Sequence, residues 1–343
     1  MKKINFIFAV LSLMMFVLFS CNSENPIVHS NEPIVVDSNL FVWRLDTFFV
    51  HPYKYFYIAD TNNVYIAGTP ASVHINNGLI QYINHNDNDF YANCLTGTSK
   101  NNVFIGGGSL SSSISKLKHW NGFNIVDIVM PYDSSNRIVR IEPVSDNDIW
   151  MSTASNTIYH YKNNIVTTYK LDSSLNYGVI YNDGSGNLFT KFDSYIPGTF
   201  NSIFSIYKYE NDNWVKVYKD SVTTNSEMDY CIGFGDNKLL RTGKNGIYYF
   251  NGNGFLPYLP LSSIFTVLLA GANAQDNVLF LAEENNFSTY IFYFDGKRIF
   301  RTPNQYLPSL PNEEIQFKYG RFYFLIDMAD NKNYFGTAKL KRI

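Results

Sequence analysis

The chain has 343 residues, 45% of them hydrophobic and 16% charged, enough apolar material to bury a large core and too much for disorder over most of its length. Lys and Arg number 27 against 29 Asp and Glu, so no basic field exists to displace counterions from a polynucleotide, and nucleic acid is not an expected partner. With 28 Phe, 26 Tyr and 41 Asn, the composition favours pleated strands joined by tight turns, and the expected class is all-β.

Lys2 and Lys3 precede an apolar run over residues 6–19 that ends in Ser20 and Cys21. A positive start, a short apolar centre and a small residue before the break make a secretory signal. The run is too short to cross the ~30 Å hydrocarbon layer as a lasting helix. Its tail, Leu18-Phe19-Ser20-Cys21, resembles the lipobox of bacterial lipoproteins. That resemblance implies removal of residues 1–20 as a signal peptide and acylation of Cys21, which would hold the chain to a membrane of the cell envelope. Asn22, where an Asp would retain many such proteins at the inner membrane, favours the outer membrane; the periplasmic and surface faces both stay open. Residues 21–38 contain Pro26 and Pro33 and show no regular period, so they are expected to be the lipidated Cys and a flexible tether. Fully extended, such a tether reaches roughly 60 Å.

The rest of the chain repeats. Six segments share an apolar stretch, a polar turn and a second apolar stretch: VHINNGLI from Val73, LKHWNGFNI from Leu117, IYHYKNNIV from Ile158, YKYENDNWV from Tyr207, YYFNGNGFL from Tyr248 and FYFDGKRIF from Phe292. Each reads as a β-hairpin, because Asn-Gly and Asp-Gly pairs supply the positive φ that a tight primed turn requires. Ile75, Trp120, Tyr161, Tyr209, Phe250 and Phe294 are equivalent positions, spaced 45, 41, 48, 41 and 44 residues apart. A second signature precedes every hairpin, as in NNVYIAG from Asn62, NNVFIGG from Asn101 and NDIWMST from Asn147. Ahead of it lies another apolar stretch, such as FYIAD from Phe56, so each unit holds four strands.

Four short strands every ~43 residues is the period of a β-propeller blade. A seventh unit near the C-terminus lacks its last strand, and NLFVWRLDTFF from Asn39 is the natural segment to supply it. The expected architecture is a seven-bladed β-propeller over residues 39–343, a monomeric ring closed by an N-terminal strand, with six or eight blades as open alternatives. The pattern resembles the two-component-regulator type of propeller repeat found in bacterial envelope proteins. Cys94 and Cys231 fall on the inner strands of blades 2 and 5, beyond the ~7 Å reach of a disulfide, and are expected as buried free thiols.

Chemistry is thinly marked. No nucleophile elbow, P-loop, zinc helix or dinucleotide turn occurs in a fitting context, so no catalytic residue, cofactor or metal is assigned. His74, His119 and His160 occupy one place in successive blades, on what the repeat suggests are outer strands, and read as packing imposed by the repeat rather than a metal triad. Residues 84–89 form the densest cluster of oxygen ligands, on a loop at the channel mouth. A solvated turn explains them, and if a ligand binds there, His85, Asp87 and Asp89 are the residues to contact it. Trp43, Trp120, Trp150 and Trp214 could stack on sugar rings, but Trp120, Trp150 and Trp214 fall inside strands of the repeat and are expected to fill space between blades. Asp133 and Asp172 lie on Ser-rich loops with no identifiable acid partner. The functional expectation is a lipid-anchored, non-catalytic module for a protein partner or extracytoplasmic ligand; a carbohydrate-active enzyme or glycan-binding protein using the channel-mouth loops is the alternative.

Overall fold

Asn77 and Gly78 take φ of 51° and 81° and reverse the chain between the strands Ala71–Asn76 and Leu79–Asn84. Two consecutive positive values make the primed turn whose twist matches its flanking strands. Asn163-Asn164 and Asn211-Asp212 repeat the device in later hairpins. Three others use a wider loop with one positive-φ glycine, Gly122, Gly252 or Gly296. There an Asx side chain gathers the turn's backbone N–H groups: Asn121 accepts from Phe123 and Asn124, Asn251 from Asn253 and Gly254, and Asp295 from Lys297 and Arg298.

These hairpins are the outer halves of sheets in a computed structural model that describes residues 35–36, 41–48, 51–112, 114–132, 137–182, 186–195, 201–223, 230–234, 238–243, 246–262, 265–272, 278–284, 289–302, 315–327 and 333–341. The described residues form seven sheets and no helix. Blades 1 to 6 cover residues 51–84, 90–128, 138–170, 176–223, 230–260 and 265–302, each with four antiparallel strands in chain order from the channel outward. Blade 7 takes three strands from residues 315–340, and its outermost strand is Phe41–Phe48, paired antiparallel with Asn333–Leu340 over its whole length. The fold is therefore a seven-bladed propeller latched by an N-terminal strand, as the repeat leads one to expect.

The core is seven layers, one between each pair of neighbouring blades. Tyr57 and Tyr65 of blade 1, for instance, pack with Phe90, Leu95 and Ile105 of blade 2, while Phe56 and Ile66 pack backwards on Tyr323 and Phe335 of blade 7. Each middle strand is thus covered on both faces, which is why Val64, Tyr65, Ile66 and Ala67 are all buried in sequence rather than alternately. Blade 7 meets blade 1 through polar contacts as well. Gln316 Nε2, Lys318 Nζ and Tyr319 Oη donate to the carbonyls of Phe56, Ile58 and Ala59 at 2.9, 2.7 and 2.6 Å.

Two features differ from the sequence reading. Val35–Val36, within the segment read as tether, pair in parallel with Phe300 and Arg301 and give blade 6 a fifth strand. Two residues are too few to carry a period, and they pair with the outer edge of blade 6, which would otherwise be unpaired. The three repeated histidines lie on the third strand of their blades, not the outermost.

Candidate functional site

The loop over residues 85–89 runs from the outermost strand of blade 1 to the inner strand of blade 2 (Phe90–Ser99). It shares a face with the loop between the second and third strands of blade 2, where Leu110 N–H donates to the Asp89 carbonyl. Asp89 Oδ2 accepts from Ser109 Oγ at 2.6 Å and its Oδ1 from Ser111 N–H at 2.8 Å. Lys116 Nζ lies 2.9 Å from Asp87 Oδ2 and 3.1 Å from Asp89 Oδ2. Lys118 Nζ lies 3.4 Å from Asp87 Oδ2, 2.5 Å from Asp127 Oδ1 and 5.1 Å above the Phe90 ring. The two lysines stand two apart on one strand and so face the same way. That alternation was the available sign of the cluster, and it escapes a search confined to acidic ligands.

The structure thus brings Asp87 and Asp89 together, but around two ammonium groups that occupy the place a cation would take. Hydrogen bonds from Ser109 and Ser111, then Lys116, hold the Asp89 carboxyl far below the usual range. Partial burial opposes ionisation of Asp87, yet Lys116 and the Asp89 N–H outweigh it and its pKa is also lowered. His85 does not join them. It is 1% exposed, its Nε2 accepts from Ser72 N–H at 3.1 Å, and its ring meets Phe90 edge-on at 4.9 Å. Burial, helped by the Lys118 charge, pushes its pKa down to about 4, so the ring is neutral at physiological pH.

The repeated histidines form a different constellation. His74 stacks on Tyr65 at 4.2 Å, His119 on Phe104 at 4.6 Å and His160 on Trp150 at 3.8 Å, each within one blade. Each Nε2 is bonded to the Asx that starts the neighbouring strand: Asn63 at 2.9 Å, Asn102 at 2.6 Å and Asp148 at 2.7 Å. The motif is Asx-x-aromatic followed by His, and it spans the two signatures of the repeat. It serves packing, and no group of three or more His, Cys, Asp or Glu suited to one metal occurs among the described residues.

Trp150 and Trp214 are buried between blades 3 and 4, Trp120 is half-buried between blades 1 and 2, and the Trp43 side chain lies outside the described residues. Asp172 Oδ1 accepts from Ser174 N–H and Oγ as a turn cap, while Asp133 lies outside the described residues. Cys94 is a free, buried thiol that donates to the Gly106 carbonyl. Cys231 is on the inner strand of blade 5, with its side chain outside the described residues, as are Cys21 and the whole of residues 1–34.

What the loop face does expose is apolar. Leu110 on blade 2, Val129 and Tyr132 on the link to blade 3, and Tyr177 at the start of blade 4 are 58, 88, 80 and 41% exposed. In an antiparallel blade the links between blades and the turns between second and third strands emerge on one face, so these residues share the channel-mouth side with the Lys116 cluster.

No family model and no curated protein matches the chain. Solved structures do match. YCF48 bound to D1 peptide is similar at 13% identity with a TM-score of 0.63, over 90% of this chain and 100% of that one. A chain of the Mitotic Checkpoint Complex is similar at 10% identity and a TM-score of 0.60, over 93% and 98%. The β-propeller domain of the Trilobed protease from Pyrococcus furiosus is similar at 11% identity and a TM-score of 0.53, over 85% and 98%. At such identities the likeness is one of fold, and it shows the propeller.

Proposed function

We propose that this chain is a lipid-anchored propeller of the cell envelope that binds a protein partner on its channel-mouth face. The observation that carries the reading is the set of Leu110 on a loop within blade 2, Val129 and Tyr132 on the link to blade 3, and Tyr177 on the first strand of blade 4, all exposed on blades whose own cores are already filled. Large apolar side chains gathered on loops of a rigid scaffold mark an interaction surface. Support comes from two propeller neighbours matched over nearly the whole of their chains, one bound to a peptide and one within an assembly. The fixed carboxylate and ammonium groups of Asp87, Asp89 and Lys116 would border the contact and set its register. Acylation of Cys21 would leave residues 22–34 to span the gap between bilayer and ring, about 40 Å when extended.

A photo-crosslinking residue at position 129 or 132, in the producing cells, tests the partner. Capture of one protein from these positions and none from 77 or 163 on the opposite face is expected, and Tyr132→Asp should abolish it without changing the melting temperature. Equal capture from both faces, or none from 129 and 132, would overturn the reading. Partition of the protein into detergent, lost in Cys21→Ser, tests the anchor separately.

A further inference from the structure

On the rim of the ring a cleft of about 250 Å³ opens between the outermost strand of blade 1 and the loop over residues 121–124 of blade 2. Tyr82, Trp120 and Phe123 give it aromatic walls, and Gln81, Asn84 and Asn124 bring carboxamides to it. Its floor is held in place. Trp120 packs on the cluster that contains Tyr65, whose hydroxyl donates to the Lys100 carbonyl at 2.6 Å, and Tyr65 stacks on His74 behind the cleft. At its opening Tyr82 is 53% and Phe123 is 89% exposed. Phe123 is nonetheless positioned, because the Asn121 carboxamide accepts its N–H at 3.1 Å.

The lining is both aromatic and amide-bearing, and it carries no formal charge. His74, its ionisable member, is buried and bonded to Asn63, and that burial favours the neutral ring. A charged ligand would find no counter-ion here, and a wholly apolar one would leave the carboxamides unpaired at a cost. A sugar ring satisfies both demands: its C–H faces cover aromatic faces, and its hydroxyls, which donate and accept, match the paired donor and acceptor of each carboxamide. The volume lies just below the ~300–1,000 Å³ of clefts for drug-sized ligands, which suits one or two sugar rings.

We propose that this cleft binds a neutral oligosaccharide; it is lined by none of Leu110, Val129, Tyr132 and Tyr177 of the protein-binding face, though Asn86 of the loop over residues 85–89 also lines it. Calorimetric titration of the full-length protein, in a detergent without a sugar headgroup, against neutral gluco-, manno- and galacto-hexasaccharides and one acidic hexasaccharide tests it. Saturable binding of a neutral hexasaccharide is expected, insensitive to salt and weakened at least about tenfold by Phe123→Ala or Tyr82→Ala, with no change in Ile165→Ala, an exposed position on blade 3. Failure of every neutral hexasaccharide to saturate would overturn the proposal. So would indifference to both aromatic substitutions, a salt-sensitive preference for the acidic sugar, or capture of a protein by a crosslinker at position 123. None of these outcomes bears on capture at 129 and 132.

Discussion

Each repeated histidine is held by an Asx carboxamide or carboxylate and an aromatic ring, both on the preceding strand, so its removal costs both a hydrogen bond and a stacked contact. His119→Ala should destabilise the protein by about 1–3 kcal/mol, whereas Trp150→Ala, at a fully buried site, should cost about 3–5 kcal/mol, both read by urea denaturation. His85 makes stability depend on pH. Its folded pKa of about 4 lies below the ~6.5 of the unfolded chain, so between those values only the unfolded state takes up the proton. Stability is therefore full above pH 6.5 and falls as pH drops towards 4, by about 3 kcal/mol from this group. His74 and His119, also lowered by burial, act in the same direction. Melts between pH 4 and 8 should show a shallower acid slope in His85→Gln, and an unchanged slope would remove His85 as the cause. Burial pushes the Cys94 thiol up to about 12, so it should resist a disulfide reagent until the protein unfolds.

At the scale of elements, the hairpins were legible because a turn's demand for positive φ is local and Asn-Gly and Asp-Gly meet it. Glycines inside strands answer to a different demand, close approach. A Cβ on Gly107 would lie 1.8 Å from the Tyr91 carbonyl oxygen of the adjacent strand, whereas one on Gly252 would meet nothing within 4 Å but would sit at φ +96°. Gly107→Ala should therefore cost well over 2 kcal/mol and Gly252→Ala about 1 kcal/mol, checked in the same denaturation series. The acidic loop was legible as a cluster but not as a finished one. Lys116 and Lys118 lie about thirty residues on, and only the pairing of blade 2's second and third strands carries them back to Asp87 and Asp89. Tyr82, Trp120 and Phe123 come from two blades, and no spacing along the chain announces that they line one cleft.

For the whole molecule, closure joins Phe41–Phe48 to the last strand, Asn333–Leu340. Phe41 sits edge-on between Tyr293 and Phe322, at 5.6 and 6.1 Å, so the latch strand also fills the layer between blades 6 and 7. Among the described residues, a chain beginning at residue 37 loses the short fifth strand of blade 6, and it should melt within a few degrees of the full protein. A chain beginning at residue 49 uncovers the edge of Asn333–Leu340 and should aggregate or melt far lower, by light scattering and thermal melts. Similar behaviour of the two truncations would remove the latch as the main closure.

The residues alone determined the strand class, the period and the segment that closes the ring, since turn chemistry, burial on both faces of a strand and repeat spacing are all short-range or periodic. Which carboxylates meet which lysines, where the histidine lies in its blade, and which aromatic side chains share a cleft depended on the tertiary structure. Those contacts join different strands and blades, and their distance along the chain bears no relation to their distance in the ring.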